Sequence, residues 1–332
     1  MTLNNPRANE TVLSIEGLSV AFKKGGRSIR ALREVNLNLK RGEILGLVGE
    51  SGCGKSLTAL SAMMLLPENA FIESGEIKVN NTALSRMPEK QLRKIRGNNI
   101  SIIFQEPMTS LNPLISIGRQ IQESLELHRC VPRKEMRSRV IELLTLVEIP
   151  DPEARYRQFP FEFSGGMQQR VMSALALACN PQVLIADEPT TALDVTIQAQ
   201  ILKLLRNIRD VYGTAILLIT HNMGVIADTA DRVAVMYAGK VVETALVEDI
   251  FAQPFHPYTD GLLSSIPTMM GDRDQELVSI PGGVPDLENL PEGCSFQSRC
   301  PRVSDACKRD TPPLLERSPG RQAACWNPIL VV

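Results

Sequence analysis

The stretch GESGCGKS, residues 49–56, fits the spacing G-x-x-x-x-G-K-[ST], which serves one chemistry well: holding a chain of phosphates. Its glycines let the backbone N–H groups of Glu50, Ser51, Gly52, Cys53 and Gly54 approach phosphate oxygens, and a helix opening near Lys55 adds positive potential at its N-terminus. The Lys55 ammonium can then reach the β and γ phosphates, and the Ser56 hydroxyl can ligate magnesium. A plain glycine turn between packed elements is the competing explanation. VLIADEPT, residues 183–190, is an apolar run ending in two acids: Asp187 suits a magnesium ion, directly or through water, and Glu188 can polarise an attacking water. Two acids after a strand are more often a turn or a helix cap, and only the phosphate loop upstream gives them a task. In SGGMQQR, residues 164–170, Ser164 can cap the helix that follows or turn its hydroxyl to a γ-phosphate, with Gly165 and Gly166 permitting close approach.

A second set of reactive side chains lies near the C-terminus. Cys294, Cys300, Cys307 and Cys325 are spaced C-x5-C-x6-C-x17-C, which matches neither the paired C-x2-C of common zinc sites nor the dense ferredoxin run. Four thiols in a short, loop-rich segment suit a soft-metal centre, because such a segment buries little apolar surface and gains order from cross-linking. Reduced, buried thiols satisfy the same pattern. Cys53, Cys130 and Cys179 are scattered and are read as non-ligands.

These residues need elements to position them. VLSIEGLSVAF (12–22) and VNLNL (35–39) alternate at period two, as half-buried strands do. EILGLVG (43–49) is a nearly continuous apolar run that leads through the glycine loop into SLTALSAMMLL, helical by spacing and ending before Pro67. The segment from Pro107 to Phe163 reads as mostly helical, with turns at Asn112-Pro113 and Pro150-Asp151-Pro152. VLIADEP, AILLITH and RVAVMYAG then predict buried, largely parallel strands. From about Pro254 the composition shifts to proline, glycine and cysteine, predicting an appendage to an α/β core.

The 332 residues carry 36 Lys plus Arg against 37 Asp plus Glu, so no net field draws the chain to nucleic acid or to an anionic membrane. The N-terminus has no basic-then-apolar run, and no stretch approaches the ~20 apolar residues of a membrane span, which predicts a cytosolic or peripheral protein without structural disulfides.

The phosphate loop, IIFQEP, SGGMQQR, VLIADEPT and LLITHN, in this order, resemble the ATP-binding cassette of ABC transporters across residues 12–253, with a helical insertion at about 107–178. The resemblance implies a P-loop NTPase fold of the RecA-like α/β kind with an antiparallel β subdomain. By the same resemblance Gln105 senses the γ-phosphate and helps bind magnesium, and His221 contacts the γ-phosphate and the attacking water. Phe22 would stack on adenine with Ala31 beside it, Gln168 would belong to the signature around Ser164, and Asp194 would link two nucleotide sites. Two positions depart from the family's pattern: Phe163 stands where the signature usually has Leu, and Asn222 where an acid often follows the histidine. In the family, one cassette's signature closes over the nucleotide of another, and this chain has one copy of each. A second cassette, a related partner in particular, is therefore implied.

Residues 254–332, with HPYTDGLLSSIP, IPGGVPDL and GCSFQSRCP, resemble the C-terminal extension of dipeptide and oligopeptide importer ATPases. That implies import of peptides, or alternatively of nickel, a metallophore or another small solute, together with two membrane permease subunits and an extracytoplasmic solute-binding protein. It also implies a place at the cytoplasmic face of the cell membrane, a 4Fe-4S cluster (alternatively zinc) on Cys294, Cys300, Cys307 and Cys325, and no nucleic-acid partner. A soluble cassette ATPase that does not transport is the reading from another class, and the lack of a second cassette in the chain weighs against it.

Overall fold

The structure is a computed structural model, described for residues 10–191, 193–266 and 279–329. Of the cassette, the extension and the N-terminal stretch read above, positions 1–9, 192, 267–278 and 330–332 lie outside the described residues. The described strands are β1 (Thr11–Lys24), β2 (Arg27–Lys40), β3 (Ile44–Val48), β4 (Ala70–Val79), β5 (Thr82–Ala83), β6 (Ile100–Ile103), β7 (Val183–Asp187), β8 (Ala215–Thr220), β9 (Arg232–Tyr237), β10 (Lys240–Leu246), β11 (Leu315–Ser318) and β12 (Arg321–Ala323). The chain divides into two compact units that interleave along the sequence. The first takes residues 1–13, 39–43 and 78–218, and the second takes 14–38, 44–77 and 219–332.

In the first unit β7 lies beside β6 in parallel, in the register Ile100↔Val183 to Ile103↔Ala186. All five residues of β7 are buried, as expected for a parallel strand covered on both faces. Helices Ile117–His128 and Met136–Leu146 pack on each other; the first buries Ile117, Ile121 and Leu125 and the second Val140, Leu143 and Leu144, spacings that put each set on one stripe. Both lie in the stretch read as mostly helical from its periodicity. Val195–Tyr212 is the longest helix described and ends at Gly213, whose φ of 65° closes it in the left-handed conformation.

In the second unit β2, β1 and β4 are neighbours in that order. A second set runs β11-β12-β10-β9-β3, with β3 parallel to β9 and the remaining pairs antiparallel. The five buried residues of β3 drive it into the core. The helix after it spans Lys55–Ala62, shorter than its apolar run suggests. Met64 takes φ 53° and donates to the Ser61 carbonyl at 2.9 Å, while Leu65 donates to Leu60 at 2.8 Å, a left-handed stop. The C-terminal appendage contributes β11 and β12, and β12 joins β10 through Glu243↔Ala323 and Thr244↔Gln322. These strands are four and three residues long with no period-two apolar pattern, which is why the sequence does not announce them.

Candidate nucleotide-binding site

β3 delivers the phosphate loop in the second unit. Gly49 has φ 153°, and a Cβ there would sit 2.2 Å from the Met236 carbonyl oxygen; Gly54 has φ 110°, and its Cβ would meet Leu32 at 2.7 Å. A side chain is excluded at Gly49 by both backbone conformation and space, and disfavoured at Gly54 by its backbone conformation. Lys55 opens the helix with a side chain 5% exposed, and its ammonium donates to the Gly49 carbonyl at 2.8 Å and to the Glu50 carbonyl at 3.0 Å. The loop is thereby folded around its own cation. Ser56 is exposed on the first turn. Cys53 is buried, which pushes its thiol pKa up and suits it to packing.

One loop amide is already engaged. The N–H of Glu50 donates to the Tyr258 hydroxyl at 2.9 Å, and its carboxylate accepts two bonds from Arg299, at 2.7 and 3.0 Å. The Glu50 bonds come first among the causes that raise the Arg299 pKa against the cost of burial. Neither Tyr258 nor Arg299 is singled out by sequence reasoning, since each lies more than 200 residues from the loop. In the same unit Phe22 is half-buried, whereas Ala31 is buried and leaves little surface for a base. His221 is exposed between β8 and helix Met223–Thr229. Asn222, the departure from the family's acid, caps that helix by accepting from the N–H groups of Gly224 at 2.9 Å and Val225 at 3.3 Å.

The first unit brings Gln105 and Glu188 together. Glu188 follows β7 in the left-handed region, φ 48°, a costly conformation for a non-glycine residue. Its Oε2 accepts from Gln105 Nε2 at 3.2 Å and from the Thr191 hydroxyl at 2.8 Å. Thr191 is a further residue the sequence reading misses; the only signal is its hydroxyl three positions after the acid. Asp187 is the last residue of β7 and 7% exposed. Ser164 is exposed at the N-cap of helix Gly165–Ala176, its hydroxyl accepting from Met167 N–H at 3.4 Å, and a Cβ on Gly165 would meet nothing within 4 Å. Gln168 turns inward and donates to the carbonyls of Pro160 at 2.8 Å and Phe163 at 3.2 Å, so it shapes the turn that precedes Ser164. Phe163 is buried with the Arg155 guanidinium 5.8 Å from its ring centre, which accommodates the aromatic residue in place of leucine. Asp194 caps helix Val195–Tyr212 by accepting from Ile197 N–H at 3.0 Å.

The four C-terminal cysteines belong to the second unit. The Cys294 N–H donates to the Cys307 carbonyl at 2.8 Å, tying two of the segments together. Burial is the first cause that raises the pKa of Cys294, Cys300 and Cys325, the last to about 11, and the neighbouring thiols of the set add to each shift. The donor chemistry is that of a soft-metal centre. The placement is not: among the described residues no group of three or more His, Cys, Asp or Glu side chains is arranged to hold a metal ion.

Residues 32–191 match the family described as ABC transporter, and residues 242–307 match the oligopeptide/dipeptide transporter C-terminal region. The chain is similar to the oligopeptide transport ATP-binding protein AppD of Bacillus subtilis, 49% identical over 95% of this chain and 96% of that one. It is equally similar to the dipeptide transport ATP-binding protein DppD of the same organism, 49% identical over 96% of this chain and 95% of that one. Among solved structures, the dimeric post-hydrolysis state of the ATP-binding cassette MJ0796, bound to ADP and Pi, has a TM-score of 0.64 at 30% identity and covers 71% of this chain and 98% of that chain. The chain belongs to the ATP-binding subunits of ABC transporters, with the P-loop α/β cassette fold and the ATPase activity of that class. Within that class it stands with the oligopeptide and dipeptide transport ATP-binding proteins, whose C-terminal region it carries.

Proposed function

We propose that this protein hydrolyses ATP to power import of dipeptides or oligopeptides through a membrane ABC transporter. The observation that carries the reading is the joint match of the cassette and of the oligopeptide/dipeptide C-terminal region, extended by relatives similar over almost the whole chain. The partners are a second, related ATPase cassette, two permease subunits and an extracytoplasmic solute-binding protein. No described helix is long and apolar enough to cross a membrane. On this reading the permease subunits hold the chain peripherally at the cytoplasmic face. We divide the work between a cassette at 12–253 and an extension at 254–332.

Lys55 and the loop amides from Ser51 to Gly54 bind the triphosphate, and Phe22 packs on adenine. By the resemblance to the family, Ser56, Asp187 and Gln105 would hold magnesium, which would supply positive charge to the phosphates. Glu188 polarises the attacking water, and Gln105 and Thr191 fix its carboxylate while it does so. His221 contacts the γ-phosphate. Ser164, Gly165 and Gly166 close on the γ-phosphate carried by the second cassette, and Gln168 and Phe163 set the turn that presents them. Affinity gained only in the closed pair, and lost on cleavage, converts hydrolysis into opening and closing. Co-expression with its membrane and binding-protein partners should give ATP-dependent uptake of a labelled dipeptide or tripeptide into vesicles, abolished by Lys55→Ala. Uptake of nickel or a metallophore without peptide would replace the substrate assignment.

A 4Fe-4S centre on Cys294, Cys300, Cys307 and Cys325 is part of this reading on donor chemistry alone, and no step of the cycle is routed through it. Anaerobically purified protein should then be brown, with visible absorbance lost in Cys300→Ser. Colourless protein with stoichiometric zinc would replace the cluster by zinc, and colourless metal-free protein would leave four reduced thiols.

A further inference from the structure

We propose that Arg299 is a positioning residue for the phosphate loop, fixing the Glu50 carboxylate so that the C-terminal extension sets the affinity for ATP without touching it. This rests on the reading that ATP binds at Lys55. A loop that must receive a triphosphate carries, at Glu50, a charge of the same sign as its ligand. Left unpaired, that carboxylate would repel the phosphates and draw the Lys55 ammonium to itself. The second unit answers with one cation. Arg299 meets Glu50 in two parallel bonds, Nη1 to Oε2 at 2.7 Å and Nη2 to Oε1 at 3.0 Å, with its own side chain only 3% exposed.

Arg299 is itself held in place. Its Nε donates to the Pro281 carbonyl at 2.8 Å, Nη2 to the Ile280 carbonyl at 3.3 Å, and Nη1 to the Tyr237 hydroxyl at 3.5 Å. The guanidinium lies 5.9 Å from the ring centres of Tyr237 and Phe296. Those rings pack with Tyr258, whose hydroxyl takes the Glu50 N–H. Glu50 is therefore gripped at both its backbone and its side chain by residues that follow the cassette, and its carbonyl accepts from Lys55 at 3.0 Å. Two hydrogen-bonded links lead from the extension to the ammonium that meets phosphate. A carboxylate turned aside and neutralised leaves Lys55 for the nucleotide.

The test is a double-mutant cycle in the full-length chain assembled with its transporter partners, read as KM for ATP and kcat. Arg299→Gln should raise KM about tenfold with kcat within about twofold, whereas in the Glu50→Gln background the same substitution should change KM less than about twofold. Arg299→Lys, which keeps the charge but loses the fork, should fall between. A role confined to stability would not confine the KM effect to chains that carry the Glu50 carboxylate. A folded Arg299→Gln protein with wild-type KM, or an equal KM rise in both backgrounds, overturns the proposal. Should Arg299→Gln not fold, Arg299→Lys and Tyr258→Phe decide: a raised KM supports the grip on Glu50 and an unchanged one overturns it. ATPase activity that survives Lys55→Ala in the otherwise unchanged chain would instead sink the assignment of the nucleotide site, separately from the cycle.

Discussion

Glu188→Gln is expected to bind ATP with near wild-type affinity while steady-state hydrolysis falls at least about 100-fold, the scale on which a positioned general base contributes. The substitution keeps the side chain's size. It also keeps an oxygen that can accept from Gln105 and Thr191, which now sit 3.2 and 2.8 Å from the carboxylate, so packing at the end of β7 should be unchanged. Only the negative charge that draws a proton from water is lost. If hydrolysis is what releases the closed pair of cassettes, the variant should accumulate as a dimeric, nucleotide-loaded complex. Size-exclusion chromatography with ATP and magnesium would show a dimer for the variant and a mixture for the wild type. Normal turnover without trapping would remove Glu188 from the role given to it.

Gly49→Ala should fail differently. At φ 153° the backbone occupies a region that is open to glycine and costs other residues about 1–3 kcal/mol. The added methyl would also lie 2.2 Å from the Met236 carbonyl, a backbone atom of the strand paired with β3, so the clash cannot be relieved by a side-chain rotation. Nucleotide binding should weaken by more than about 100-fold, and the melting temperature should fall, since overpacking and strain add at one site. A fluorescent-nucleotide titration and a thermal melt measure both. Gly52→Ala is the internal control: φ is 78° but a Cβ meets nothing within 4 Å, so it should cost about 1 kcal/mol of backbone strain and leave the loop's shape intact. Equal effects at the two positions would contradict the steric account.

Much of this site is legible because its chemistry is local in sequence. A loop of eight residues brings its own glycines, cation and hydroxyl, and the run VLIAD buries itself as a strand that ends in acids, so spacing alone reports what each can do. Asn222 illustrates the limit: as a departure from a pattern it carries no meaning until the helix it caps is seen. Thr191 is close enough in sequence to be suspected, but a hydroxyl three residues after an acid is too common to single out. Tyr258 and Arg299 are out of reach altogether, because the contacts that matter join segments 208 and 249 residues apart and neither end has a periodic signature. The cysteines differ again. Their confinement to one short segment invites a metal, while among the described residues no group of three or more His, Cys, Asp or Glu is arranged to hold one.

The hairpin of β11 and β12 has a consequence for how the polypeptide may be shortened. Because β12 hydrogen-bonds along β10, it occupies the row of amides and carbonyls that would otherwise form the sheet's open margin on that side. Cutting the chain after the cassette would bare this margin to solvent and to other molecules, offering each copy a seam on which the next could add a strand. The appendage thus serves as a selvedge as well as a brace, and a trimmed cassette would be prone to self-association for reasons unrelated to nucleotide or transport.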